Sequence, residues 1–247
     1  MNKYLRNGLI GAFWLLVWWG AAQAVGLPLL LPGPWDTLSA LFQQMKHIAF
    51  WQSTGLTLIR VGAGYLMAVG IGVVMAVICH FVPLMDALFS PVRSVIKATP
   101  VSSFIILVLL WIQKGRVPAF ISFLMVLPIV WTEVQAGLGA VDQQLLEMGK
   151  MYRLKWLQKA RYIYLPSVLP HFAAACTTGL GFAWKSGIAA EVIALPLLSV
   201  GKNLYDAKIY LESANLFAWT FTVILLSMAL EAVLKRLMAR LKGGKAA

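Results

Sequence analysis

Six apolar stretches, parted by short polar or proline-bearing segments, set the pattern of this chain. They cover roughly 8–26, 54–80, 86–112, 117–137, 168–195 and 214–234. Several hold windows of about 20 residues almost free of charge, the length a helix needs to cross a bilayer. The pattern predicts an all-α integral membrane protein with about six transmembrane helices. Between the first two stretches lies "LPGPWDTLSALFQQMKHIAFWQS". There Pro32 and Pro34 read as helix breakers, Asp36 as a helix N-cap, and the middle as a short interfacial helix. The chain divides into a first transmembrane helix at 1–27, an external linker at 28–53, a core at 54–240 and a basic tail at 241–247.

One long polar island interrupts the core at about 138–166. Its segment "LLEMGKMYRLKWLQKARYIYLPSVLP" carries Lys150, Arg153, Lys155, Lys159 and Arg161. Asp142 is a good N-cap ahead of it. Leu145, Met148, Tyr152 and Trp156 fall on one face of a helix, with Glu147, Lys150, Arg153 and Lys155 along its polar edge. The expectation is a short amphipathic helix, then a second basic segment, with Pro166 and Pro170 setting where the next span begins. Such a helix suits either of two tasks: lying on lipid, or docking into a partner protein.

Composition agrees with the pattern. Hydrophobic residues make up 60% of the chain and charged residues 12%, against about a quarter charged in soluble domains. A net charge of +12 raises the question of nucleic acid, but the charge lies where a membrane topology puts it. Twelve of the 21 Lys/Arg are Lys3 and Arg6, the five of the island, and Lys235, Arg236, Arg240, Lys242 and Lys245. Positive residues beside spans mark the cytoplasmic side. N-terminus, island and C-terminus then all lie inside, with four spans before the island and two after it. The loops left outside hold only Lys46, Lys114, Arg116, Lys202 and Lys208. The first stretch resembles a signal peptide, but its long, Trp-rich run (Trp14, Trp18, Trp19) reads as an uncleaved span. Cys79 and Cys176 form no disulfide framework, and His47, His80 and His171 show no metal-ligand spacing.

Small residues recur at spacing four: Ala68, Gly72 and Ala76 in the second span, Gly179, Ala183 and Gly187 in the fifth. Such stripes let helix backbones approach closely in lipid. Pro100, Pro118 and Pro128 are expected to kink their spans. Lys185 and Glu191 share the fifth span, about 120° apart around a helix and so not a direct pair. Arg93 and Lys97 are candidate partners for Glu191, and Glu133 for Lys185. These charges either hold the bundle together or line a solute path. Lys97 and Lys185 on such a path would suit an anionic or zwitterionic solute. Arg60 can snorkel from the outer end of its span, and Trp111 and Trp131 suit interface positions.

A phosphate loop needs G-x-x-x-x-G-K-S/T. Residues 200–203, "VGKN", have Pro196 at the first Gly position and Asn203 at the Ser/Thr position; 148–151, "MGKM", fails as well. If ATP drives this chain, a partner hydrolyses it. No nucleophile and base stand at credible spacing; Ser102, Ser103 and Ser227 read as packing residues.

The island resembles the cytoplasmic loop of ABC importer membrane subunits, the binding-protein-dependent permease family. That loop runs Glu-Ala-Ala, three residues, Gly, about nine residues, Ile and a closing Leu-Pro. Glu147 takes the Glu position and Leu165-Pro166 closes the segment, while Met148 and Gly149 replace the two Ala and Arg153 replaces the Gly. The resemblance extends over about 28–240. "LLLPGPWDTLSAL" is similar to the Leu-Pro-Ser-Pro opening of the sulfonate, nitrate and taurine branch. "SPVRSVIKATPVSSFIILVLLW" resembles that branch's proline-rich segment, with Lys97 for an Arg and Pro100 kept. "LGFAWKSGIAAEVIA" resembles its Ala-Trp…Ala-Glu span through Ala183, Trp184, Ala190 and Glu191. "SVGKNLYDAK" keeps Gly201 of a Gly-Leu-Gly turn.

The resemblance implies the type I importer permease fold in the cell inner membrane. It implies a second permease chain, expected as a homodimer, two ATP-binding subunits and an external solute-binding protein that delivers a small polar solute. ATP and Mg would be bound by the partner ATPase, with no cofactor in this chain. Coupling to the ATPase would fall to Glu147, Met148, Gly149, Lys150, Tyr152, Arg153, Leu154, Trp156, Leu165 and Pro166. The translocation path would include Lys97, Pro100, Trp184, Lys185 and Glu191. The alternatives are an ATP-independent secondary carrier or channel, or the membrane subunit of an energy-coupling-type vitamin importer. A carrier predicts paired internal repeats, and none is evident between the halves.

Overall fold

The computed structural model describes the backbone of residues 3–243 and the side chains of 8–240. Lys3, Arg6, Lys242 and Lys245, with the rest of the basic tail, lie outside the described side chains. Among the described residues every regular element is helical. In chain order these are α1 (Lys3–Val25), α2 (Pro34–Met45), α3 (Ile48–Phe81), α4 (Pro83–Ala98), α5 (Val101–Val108), α6 (Val117–Gly139), α7 (Gln143–Met151), α8 (Trp156–Lys159), a π-helical turn (Ala160–Tyr164), α9 (Leu165–Ala194), α10 (Val200–Ile209) and α11 (Ser213–Gly243).

Among the described residues four helices are long and apolar enough to cross a membrane: α1, α3, α6 and α11. A fifth span results if α4 and α5 count as one. That segment is the third apolar stretch, and it is not a straight helix: its halves meet at 104°. Pro100 is the cause. It holds Thr99 in an extended conformation (ψ 132°) and itself becomes the N-cap of α5. Helix α9, the fifth stretch, runs for 30 residues, roughly 45 Å. It is less apolar because Thr177, Thr178, Lys185, Ser186 and Glu191 lie within it. Its buried positions 173, 176, 180, 183, 187, 191 and 194 recur every three or four residues and form one enclosed face.

Two expected helix starts are displaced. Asp36 is not the N-cap of α2. The helix begins at Pro34 behind Gly33, and Asp36, at the third position, accepts the Gly33 amide at 3.2 Å. Pro34 thus opens a helix rather than breaking one, as its fixed φ and missing N–H allow. Pro166 and Pro170 do not set the start of the fifth span either. The helix is continuous from Trp156 to Ala194, and the π-turn lies just ahead of Pro166. The wider turn accommodates a ring that would clash with a carbonyl four residues back. Pro118 sits in the first turn of α6, where proline costs nothing and makes no kink.

The chain forms two compact units. One comprises residues 1–57 and 195–226, the other 58–194 and 227–247. In the first, Trp18 stacks on Phe217 at 6.2 Å and Phe50 on Trp219 at 4.9 Å. The Thr57 hydroxyl accepts the Val200 amide at 3.1 Å, and Gln44 donates to Asn215 at 2.9 Å. In the second unit α6 and α9 form the centre, with α3 against both. The small-residue stripes make this approach possible. A Cβ on Gly187 would stand 2.5 Å from Val61 and 2.7 Å from the Ser122 hydroxyl. One on Gly64 would stand 2.1 Å from the Ala119 carbonyl oxygen, and one on Gly72 3.0 Å from Val130. The Ser122 hydroxyl donates to the Ala183 carbonyl at 3.0 Å, and Tyr65 to that of Cys176 at 3.0 Å. A second apolar cluster of Ile105, Val108, Val117, Ile121, Ala190 and Ala194 secures α5 to α6 and α9.

Candidate functional site: a polar loop and an intramembrane cavity

The island contains a helix, but a shorter one than the apolar spacing suggests. Asp142 caps α7 as expected, accepting the Gln144 amide at 2.8 Å. The helix then stops at Met151. Leu154 N–H bonds to Gly149 O at 2.9 Å and Arg153 N–H to Lys150 O at 3.0 Å. This paired closure brings the residue after the C-cap into the left-handed region, where glycine is preferred. Arg153 occupies that place with φ 50°. Tyr152 is therefore the last cap of α7, and Trp156 begins the next helix, so the face of Leu145, Met148, Tyr152 and Trp156 is broken at its third member.

Gly149 and Ile163 hold this loop to the base of α9. Ile163 lies in the π-turn and is only 4% exposed. A Cβ on Gly149 would meet its Cδ1 at 3.0 Å, and Leu154 closes over the same spot. Spacing alone did not single out Ile163, because a lone isoleucine in a basic, aromatic segment carries no periodic signal. Trp156 is anchored from the other side by rings: Phe81 at 5.2 Å and Tyr164 at 5.9 Å. What remains outward is the far side of the loop. Glu147, Met148, Lys150, Met151, Tyr152, Arg153, Leu157, Leu165 and Pro166 are all exposed.

The charges within the helices pair differently from expectation. Glu191 is fully buried, and the Arg60 guanidinium stands 3.5 Å from it. Arg60 thus faces inward rather than snorkelling outward. Arg93 is engaged elsewhere: it donates to Gln135 at 2.8 Å, lies 3.7 Å from Asp86 and sits 5.1 Å over the Trp131 ring. Trp131, beneath that guanidinium and beside Phe89, is buried. Glu133 faces His171 at 3.9 Å, not Lys185. These pairs separate along α6 and α9 because Glu133 and His171 lie near one end of the packed helices and Lys185 about four turns further along α9.

Lys97 and Lys185 do come together. Both border an open cavity of about 550 Å³ lined by residues of α4, α5, α6 and α9. Thr99 and Val101, the neighbours of Pro100, border it too. Trp184 is buried at 2% exposure and Glu191 at 0%, and neither borders this cavity.

Long apolar helices, a helix broken at mid-course beside a charged cavity, and a polar loop with its own cap and closure define a polytopic transport subunit. The comparisons with known proteins agree. Residues 68–243 match the family described as binding-protein-dependent transport system inner membrane component. The chain belongs to that family: it is a multi-pass permease subunit of an ABC importer in the cell membrane. It is 24% identical over 235 residues to the taurine transport system permease protein of Escherichia coli, covering 92% of this chain and 85% of that one. It is 28% identical over 235 residues to the riboflavin transport system permease protein of Chloroflexus aurantiacus, covering 90% and 86%. It is also 22% identical to a putative aliphatic sulfonates transport permease protein of Bacillus subtilis, covering 88% and 78%. The crystal structure of an amino acid ABC transporter shares the fold, with a TM-score of 0.51 at 18% identity over 75% of this chain and 92% of that one.

Proposed function

We propose that this chain, paired with a second copy of itself, forms the translocation path for a small solute delivered by an external binding protein, and that α7 with its closing turn couples the path to a separate ATPase. One observation carries the coupling assignment. The loop from Glu147 to Leu157 is fixed at its base by Gly149, Ile163 and the Trp156 ring cluster, while Met151, Tyr152 and Leu157 stand outward. A fixed base with an exposed outer side, on which Met151, Tyr152 and Leu157 stand among charged residues, is what a transmitting element needs. A helix that merely rests on lipid needs no such fixed base. The loop, the N-terminus and the basic C-terminus would then all face the cytoplasm. Two ATPase subunits, one per permease copy, would bind ATP and Mg. Relatives named for taurine, riboflavin and sulfonates make a small organic solute the natural cargo.

Purification of the tagged chain from its native membrane in mild detergent tests this reading. A stoichiometric partner with a phosphate loop is the expected result. A chain that emerges alone and moves solute into liposomes without ATP would establish a carrier instead.

A further inference from the structure

We infer that the cavity under the broken helix is an anion site, and that Lys97 and Lys185 select for a small organic anion with an apolar body. The inference rests on the permease reading and names the class of solute for it. Lys97 reaches the cavity from the last turn of α4 and Lys185 from the middle of α9. The residues between them are mainly apolar: Ile96, Val101, Met125, Ile129 and Phe182. Among the described residues no Asp or Glu borders the cavity. Lys97 Nζ donates to the Thr132 hydroxyl at 3.0 Å. That is a dipole, not a counter-charge, and its own proton is directed to the Pro128 carbonyl at 2.6 Å.

The contrast with the other intramembrane cations decides the matter. Arg60 has Glu191 beside it and Arg93 has Asp86. This fold therefore supplies a carboxylate where a cation is structural. Both lysines are exposed and face the same open cavity without a carboxylate between them, so they give it a positive potential. An anion entering between them is attracted by that potential, and the apolar walls accept the rest of the molecule. A volume of about 550 Å³ lies within the usual span of small-molecule sites. A neutral solute gains nothing from the lysines, and a cation is repelled.

The test uses the importer complex co-purified with its ATPase, in phosphatidylcholine vesicles, with Cys79 and Cys176 replaced by Ala. Thr178→Cys places a thiol at the cavity wall, and Tyr210→Cys, far from it in sequence and exposed, serves as control. The probes are sulfonatoethyl and trimethylammonioethyl methanethiosulfonate, alike in size and opposite in charge. At Thr178→Cys the anionic probe should react faster relative to the cationic one. Lys97→Met with Lys185→Met should lower that ratio about tenfold or more, and Lys→Arg at both sites should preserve it. The ratio at Tyr210→Cys should not change. Benzenesulfonate should protect Thr178→Cys, and benzenesulfonamide should not.

An unchanged ratio, or a thiol at 178 that neither probe reaches, overturns the inference. So does a preference that disappears when phosphatidylglycerol is added, because the anion is then a lipid headgroup. Loss of the ATPase from the complex would defeat the permease reading itself, whereas an unchanged ratio in an intact complex defeats only the anion assignment. If the Met pair does not assemble, the Arg pair and the protection experiment still decide.

Discussion

Arg60 and Glu191 form an ion pair at 3.5 Å between α3 and α9, with Glu191 removed from solvent altogether. A buried pair of this kind contributes little net stability, yet breaking it is expensive because one charge is stranded. Arg60→Met should therefore destabilise the detergent-solubilised protein by about 3–5 kcal/mol. Arg60→Met with Glu191→Leu, which removes both charges, should recover most of that loss. Thermal unfolding of the single and double variants measures it, and a double variant as unstable as Arg60→Met would show that the pair is not the relevant interaction.

Arg153 carries a left-handed conformation (φ 50°) at the closure of α7. A non-glycine residue there costs about 1 kcal/mol or slightly more, and glycine has no such cost in the folded state. Arg153→Gly should therefore stabilise the loop by roughly 0.5–1 kcal/mol, part of the gain being offset by the freer unfolded chain. Hydrogen exchange of the 149–154 amides should slow in the variant. Faster exchange would mean that the guanidinium stabilises the turn in some other way.

Gly64 and Gly187 are where α3 comes closest to its neighbours. Gly64→Ala would drive a methyl group to 2.1 Å from a backbone carbonyl oxygen, which no rotamer change relieves. It should cost about 3 kcal/mol or more. Gly62→Ala, two residues away with open space around it, should be nearly neutral. Expression and thermal stability of the two variants provide the comparison, and equal stability would contradict the close packing of α3 on α6.

Much of this architecture was legible in the chain. Apolar runs marked the helices, and the stripes through Gly72 and Gly187 marked the faces that pack. Asp142 announced α7 because an N-cap is a local signal. The misreadings come from contacts and backbone turns that apolar spacing does not report. The spacing of Leu145, Met148, Tyr152 and Trp156 suggests one helix, but the backbone closes at Arg153 through the Leu154–Gly149 and Arg153–Lys150 bonds, which apolar spacing does not report. Arg60 reads as a snorkelling residue because nothing local points to a carboxylate 131 positions later. Pro166 reads as a helix start, whereas the π-turn that lets the helix run through it leaves no local trace. The two lysines stood out as unusual residues in apolar segments, but only the bend at Pro100 shows that they share a cavity.

On the proposed function, the outer side of α7 docks into an ATPase. Tyr152→Cys and Met151→Cys, in a chain with Cys79 and Cys176 replaced by Ala, place a thiol at the tip of the loop; a short bifunctional maleimide then tests contact in native membranes. One cross-linked band should join this chain to a protein with a phosphate loop, and it should be weakened or lost when Glu147→Arg is added. A cysteine at Tyr152 that cross-links to no ATPase, in membranes where a cysteine-bearing ATPase is present and ATP-driven uptake proceeds normally, would contradict it.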